Sequence, residues 1–166
     1  QGTAYAAKCQ ITPQAGYYAG GTNVTISTTE PSSTIYYTTD GSEPYDTDMV
    51  YSGPIAVDET VVIRAVAYSS NGDILPSKWE TNTYFVGDDE HVISVWSVSG
   101  GEVDGDWEGD HFMHVEMFDE NGNFVVEAFG DSNEHGNDSN AYDQRGWDYV
   151  TRDQLGSDNE VQYPVF

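Results

Sequence analysis

Cysteine is nearly missing from this chain: Cys9 is the only one in 166 residues. An intramolecular disulfide is therefore excluded, and Cys9 is left as a buried apolar side chain, the expectation here, or as an inter-chain link. Basic residues are almost as scarce, with 5 Lys and Arg against 29 Asp and Glu, a formal net charge of −24. That balance excludes a nucleic-acid partner, because displacing the counterions of a phosphate backbone takes Lys and Arg. Long apolar runs are lacking too, so no segment reads as a membrane-spanning helix and no membrane insertion is expected. Behind Gln1 there is neither a basic nor an apolar leader-like stretch, as expected of a secreted chain after leader removal or of an excised segment. No helical period of useful length is present.

What the chain does have favours strands. It holds 12 Tyr, 4 Trp and 17 Gly; flat aromatic side chains pack well on pleated surfaces, and glycine supplies the positive φ of tight turns. Hydrophobic residues make up 37% of the chain, enough to bury a core. The acidity is uneven. Residues 1–86 carry 9 acidic and 3 basic side chains, whereas residues 87–166 carry 20 and 2. A boundary is expected at Gly87-Asp88-Asp89, and so short a seam predicts that the two halves pack against each other.

In residues 1–86, alternating runs are bounded by turn chemistry. Residues 23–28 place Val24 and Ile26 on one face, residues 34–39 place Ile35 and Tyr37, and residues 61–68 place Ile63, Ala65 and Ala67. Pro31-Ser32, Asp40-Gly41, Gly53-Pro54 and Asn71-Gly72 punctuate them. Short, evenly spaced strands without helices predict a sandwich.

The run from Ser33 through Tyr36-Tyr37-Thr38-Thr39-Asp40-Gly41-Ser42-Glu43-Pro44, with Pro13, Gly16-Tyr17-Tyr18, Val24-Thr25-Ile26-Ser27, Tyr51-Ser52-Gly53-Pro54-Ile55 and Ile63-Arg64-Ala65-Val66-Ala67, resembles the chitobiase/β-hexosaminidase C-terminal domain family over residues 11–86. The resemblance implies an immunoglobulin-like sandwich of secreted multidomain bacterial proteins, without catalytic residues of its own.

Residues 87–166 read as a second, mainly antiparallel β domain. Strands are expected at 92–98, 112–118, 124–129 and 147–151, with Asn121-Gly122 supplying a type I′ hairpin turn between the second and third. The segments from His114 to Gly122, His135-Gly136-Asn137-Asp138-Ser139, Gln144-Arg145-Gly146 and Arg152-Asp153 resemble the start of spore-coat-protein-H-like (CotH-like) proteins over residues 91–166. The resemblance implies a secreted or surface protein with an atypical kinase fold several times longer. Phe166 falls before the phosphate- and metal-binding residues of such a fold, and Arg145 stands where related sequences often have Lys.

Three kinds of candidate chemistry can be named. Asp104, Asp106 and Asp110 lie on a glycine-rich loop and offer oxygen ligands for calcium, the alternative being a solvated acidic loop; residues 131–138 form a second, weaker case. His111, His114 and His135 with Glu116 are zinc-type donors, but a spacing of three puts His111 and His114 on opposite faces of a strand, while Glu116 shares the face of His114. Trp79, Trp96 and Trp107 are candidates for stacking on sugars, or else core aromatics. No G-x-S-x-G turn, phosphate loop or Cys/His pair is present, and the chain is expected to be non-enzymatic.

The expected function is that of an extracellular or cell-surface structural protein. Its expected partners are itself, as a homo-oligomer or filament joined through strand edges, other surface proteins or glycans. The alternatives are an accessory part of a longer CotH-like kinase and a carbohydrate-binding module. Asn23-Val24-Thr25 and Asn137-Asp138-Ser139 match the glycosylation sequon.

Overall fold

A computed structural model describes residues 4–87, 93–100, 111–134 and 147–151, all of them strand, turn or loop with no helix. Numbered in chain order, β1 (Ala4–Tyr5) pairs in parallel with β9 (Ile74–Leu75) at the periphery. A three-stranded antiparallel sheet has the order β2 (Gln10–Thr12), β4 (Thr22–Ser27), β7 (Ile55–Val57). A five-stranded sheet has the order β3 (Gly16–Tyr18), β10 (Glu80–Val86), β8 (Val61–Ser69), β5 (Ser33–Thr38), β6 (Met49–Val50), antiparallel except for β3 against β10. A separate four-stranded antiparallel sheet has the order β11 (Val95–Ser99), β12 (His111–Phe118), β13 (Phe124–Glu134), β14 (Trp147–Thr151).

The first two sheets form an immunoglobulin-like sandwich. The faces read from alternation meet in its core: Val24 and Ile26 of β4 pack with Ile63, Ala65 and Ala67 of β8 and with Ile11, Val57 and Tyr84. Cys9 lies in this core at 2% exposure, and burial pushes its thiol up to about 12. The Tyr84 hydroxyl, at the edge of the core, donates to the Pro13 carbonyl at 2.6 Å and accepts from Asn82 Nδ2 at 3.1 Å, so neither the phenol nor the amide is stranded.

The five-stranded sheet is covered on its other face as well. From Ile63 to Ala67 every residue of β8 is buried, which a half-solvated strand does not show. The covering layer is the four-stranded sheet. Phe118 meets Phe85 of β10 edge-on, with centroids 5.3 Å apart, and Phe85 stacks on Tyr17 of β3 at 4.5 Å. The described residues thus form three layers of sheet, and the five-stranded sheet is the middle one.

Two details of the second sheet depart from the sequence reading. Asn121-Gly122 does not form a type I′ turn, which needs positive φ at both residues: Gly122 has φ 76° but Asn121 is not in that region. Asp119 is the reason. Its carboxylate accepts the N–H groups of Asn121 and Asn123, both at 2.9 Å, and Gly122 N–H donates to the Asp119 carbonyl at 3.0 Å, an Asx-type turn closed by one left-handed glycine. Strand β13 also runs on past residue 129 to Glu134, pairing with β14 from Gly130 onward. Gly130 permits this, because a Cβ there would lie 2.3 Å from the Val150 carbonyl oxygen.

Gly122 also abuts the sandwich, where a Cβ would come within 2.9 Å of the Tyr17 ring. Gly122→Ala is therefore expected to destabilise the protein by about 1 kcal/mol or more in urea unfolding. Gly72→Ala, at a glycine with open space around it, should stay within about 0.5 kcal/mol of wild type.

Candidate functional site

The second sheet has two unlike faces, and the polar one is the one turned inward. Along β11 the side chains alternate, so Ser97 and Ser99 face the sandwich while Trp96 and Val98 face away. Ser97 Oγ and Thr83 Oγ1 are 2.7 Å apart. Arg64, 1% exposed, donates from Nε to Thr81 Oγ1 at 3.0 Å and from a terminal nitrogen to Ser99 Oγ at 3.1 Å. The ring of Trp79 lies 5.6 Å from the guanidinium, in cation–π range.

Glu116 sits at the centre of β12 with no exposed surface. Its carboxylate accepts the Thr83 backbone N–H at 3.1 Å and a short hydrogen bond from the Thr83 hydroxyl. Burial pushes its carboxyl up to about 7, against the pull of the two Thr83 hydrogen bonds and of Arg64. Burial likewise lowers Arg64 to about 10, while the charges of Glu43, Glu116 and Asp40 oppose that fall.

One strand register away, His114 is 1% exposed and stacks at 4.3 Å on Phe129. Burial holds its imidazole below the usual histidine range. The neutral ring donates from Nε2 to Glu127 Oε2 at 3.0 Å. Lys8 reaches from the sandwich to Glu80 at 2.5 Å and to Glu127 at 3.9 Å. These groups tie the layers together.

The outward face is apolar. Trp96, Val98, Met113, Val115, Ser132 and Tyr149 line an open hollow of about 380 Å³, and a second of about 200 Å³ adjoins it across Trp96, Val115 and Tyr149, flanked by Met117 and Val126. Trp96 is 46% and Val98 54% exposed. The Tyr149 hydroxyl is turned back onto the sheet, donating to the Ala128 carbonyl at 2.7 Å with the Met113 carbonyl at 3.3 Å. The ring therefore lies along the groove as an apolar surface.

Several residues singled out in the sequence fall apart in space. Trp96 is on the outward face, Trp79 is half-buried over Arg64, and Trp107 lies outside the described residues, so no platform of three tryptophans is assembled among them. Asp104, Asp106 and Asp110 lie outside the described residues too, as do His135 and the side chain of His111. His114 and Glu116 share a face as expected, but each is spent on a different partner, Glu127 and Thr83. Among the described residues no group of three or more His, Cys, Asp or Glu converges as a metal site. Sequence reasoning missed Arg64, Thr83, Ser97 and Ser99, although the alternation of serine with Trp96 and Val98 was the available signal.

The fold and the quoted motif agree with the comparison to protein families. Residues 13–74 match the chitobiase/beta-hexosaminidase C-terminal domain family. The matched span covers β3 to β8 of the sandwich, while β10, which completes the middle sheet, lies beyond it. No curated protein and no solved structure matches the chain. Nothing in these comparisons supports the likeness of residues 91–166 to CotH-like proteins.

The raised Glu116 carboxyl gives a pH signature of known sign. Between about 4.5, its ordinary value, and about 7, the folded chain keeps a proton that the unfolded chain has lost, so this group's contribution to stability falls as pH rises. The lowered imidazole of His114 acts oppositely, removing stability as pH falls below 6.5. The difference between variants isolates the carboxyl: Glu116→Gln is expected to gain on wild type by up to about 3 kcal/mol from pH 4.5 to 7 in urea unfolding. A difference independent of pH would show that Glu116 is not held protonated.

Proposed function

We propose that the chain is a non-catalytic interaction module of the cell exterior, in which the sandwich is a platform and the second sheet presents the contact surface. The observation that carries this reading is the exposed apolar surface of β11. Trp96 and Val98 are exposed beside a hollow lined also by Met113, Val115 and Tyr149, while Val115 itself is buried. Exposed apolar side chains bordering a hollow mark a candidate docking surface. The extracellular setting rests on the family match and on the acidity, which suits a solvated surface in a salty medium.

Self-assembly into a surface structure is a further reading. It is supported by β11 and β14, the outermost strands of the second sheet, since no described strand pairs with their outer edges. The CotH-like resemblance supports a third, in which the open face is where the rest of a longer secreted protein packs. A glycan-binding role draws on the family name and on exposed Trp96. The groove, however, offers few polar atoms to hold sugar hydroxyls, because the Tyr149 hydroxyl is already engaged.

Nile red, a neutral dye whose emission rises in apolar sites, tests the reading. Wild type is expected to enhance its emission, and Val98→Asp to abolish most of that enhancement with the circular dichroism spectrum unchanged. Wild type without dye binding, or a signal indifferent to Val98→Asp, would contradict an accessible apolar surface at Trp96 and Val98. On an array carrying chito-oligosaccharides, no signal dependent on Trp96→Ala is expected.

A further inference from the structure

Lys8 is fixed against two carboxylates by the residues on either side of it. Ala7 donates its N–H to Glu30 Oε2 at 3.1 Å and accepts the Thr28 hydroxyl at its carbonyl at 2.9 Å, and Cys9 is buried in the sandwich core. The Lys8 side chain therefore starts from a set place and ends between Glu80 of β10 and Glu127 of β13. Its Nζ lies 2.5 Å from Glu80 Oε2 and 3.9 Å from Glu127 Oε1. The first distance is inside the range of about 2.7–2.9 Å usual for a charge-assisted hydrogen bond. The second Glu127 oxygen is held by His114 Nε2 at 3.0 Å, which leaves Oε1 turned to Lys8. The Phe129 ring walls one side, its centroid 5.9 Å from Nζ. Burial raises the Glu80 carboxyl against the pull of Lys8 and so favours the uncharged acid, the form that an amine attacks.

An amine, a carboxyl group and a second carboxylate placed in this way are the parts of an amide-forming reaction. We infer that Lys8 and Glu80 condense into an intramolecular isopeptide bond, with Glu127 as the proton carrier. Nζ attacks Glu80 Cδ, the N–C bond forms and one Cδ–Oε bond breaks. Two of the three Nζ protons end on the departing oxygen, relayed by Glu127 Oε1, and that oxygen leaves as water. No electrons are exchanged and no co-reactant is needed. Holding the groups together removes the entropy cost that disfavours condensation between separate side chains in water. The bond ties the segment between β1 and β2, at the start of the sandwich, to its last strand, β10. In a chain whose single cysteine is buried, it is the covalent brace that a disulfide provides elsewhere. It is independent of the docking surface at Trp96 and Val98.

Intact-mass spectrometry of the purified, denatured full chain tests the bond. Wild type is expected about 18 Da below the sequence mass, the loss of one water. Tryptic digestion should leave Lys8 uncut and joined to the peptide that begins at Trp79, after cleavage at Lys78. Lys8→Met and Glu127→Gln, each with an unchanged circular dichroism spectrum, are expected at their full sequence masses. Wild type at full mass would overturn the inference and leave an ion pair only, a result that needs no variant. A water lost equally by Lys8→Met would overturn it in favour of dehydration elsewhere, as at Asp40-Gly41. A Glu127→Gln chain that still yields the branched peptide would overturn the part assigned to Glu127.

Discussion

A carboxyl group with no access to water has to be supplied with hydrogen bonds, and in this protein the supply comes from another layer of the structure. Glu116 belongs to the second sheet and both of its hydrogen bonds come from Thr83 of the sandwich. Arg64 runs the opposite way, from the sandwich to Ser99 of the second sheet. With the layers packed, losing either partner would leave a polar or charged group buried without its hydrogen bonds, at a cost of several kcal/mol. The polar character of the facing surfaces, with Thr81, Thr83, Ser97 and Ser99 all in play, follows from that requirement. The aromatic contacts of Tyr17, Phe85 and Phe118 add apolar burial beside it but do not fix register as directional hydrogen bonds do.

The second sheet turns a largely polar set toward the sandwich: Ser97, Ser99, His114 and Glu116 face inward, while Trp96 and Val98 of the same sheet face outward and are exposed. Trp79 illustrates the division, since it serves the seam by covering Arg64 rather than joining Trp96 on the outward face.

Much of this was legible in the sequence. The sandwich strands, the side of each that enters the core and the hairpin after Phe118 all follow from alternation and turn chemistry, because those signals are local. What was not legible is which face of a strand is covered. Alternation in Val95–Ser99 separates Trp96 and Val98 from Ser97 and Ser99 but says nothing of the layer opposite, and burial of the polar set depends on Thr83 and Arg64 elsewhere in the chain. The turn at Asn121-Gly122 went another way because the Asp119 carboxylate competes for the backbone N–H groups. The extension of β13 was hidden because Gly130 reads as a breaker until the close approach of Val150 is known.

The polar seam is tested most directly by a double-mutant cycle between its two sides, with Thr83→Val, Glu116→Leu and the pair compared by urea unfolding at one pH. Direct hydrogen bonding across the layers predicts a coupling energy of about 1 kcal/mol or more. Additive effects, within about 0.3 kcal/mol, would contradict it and would mean that the two sheets do not share this contact in solution.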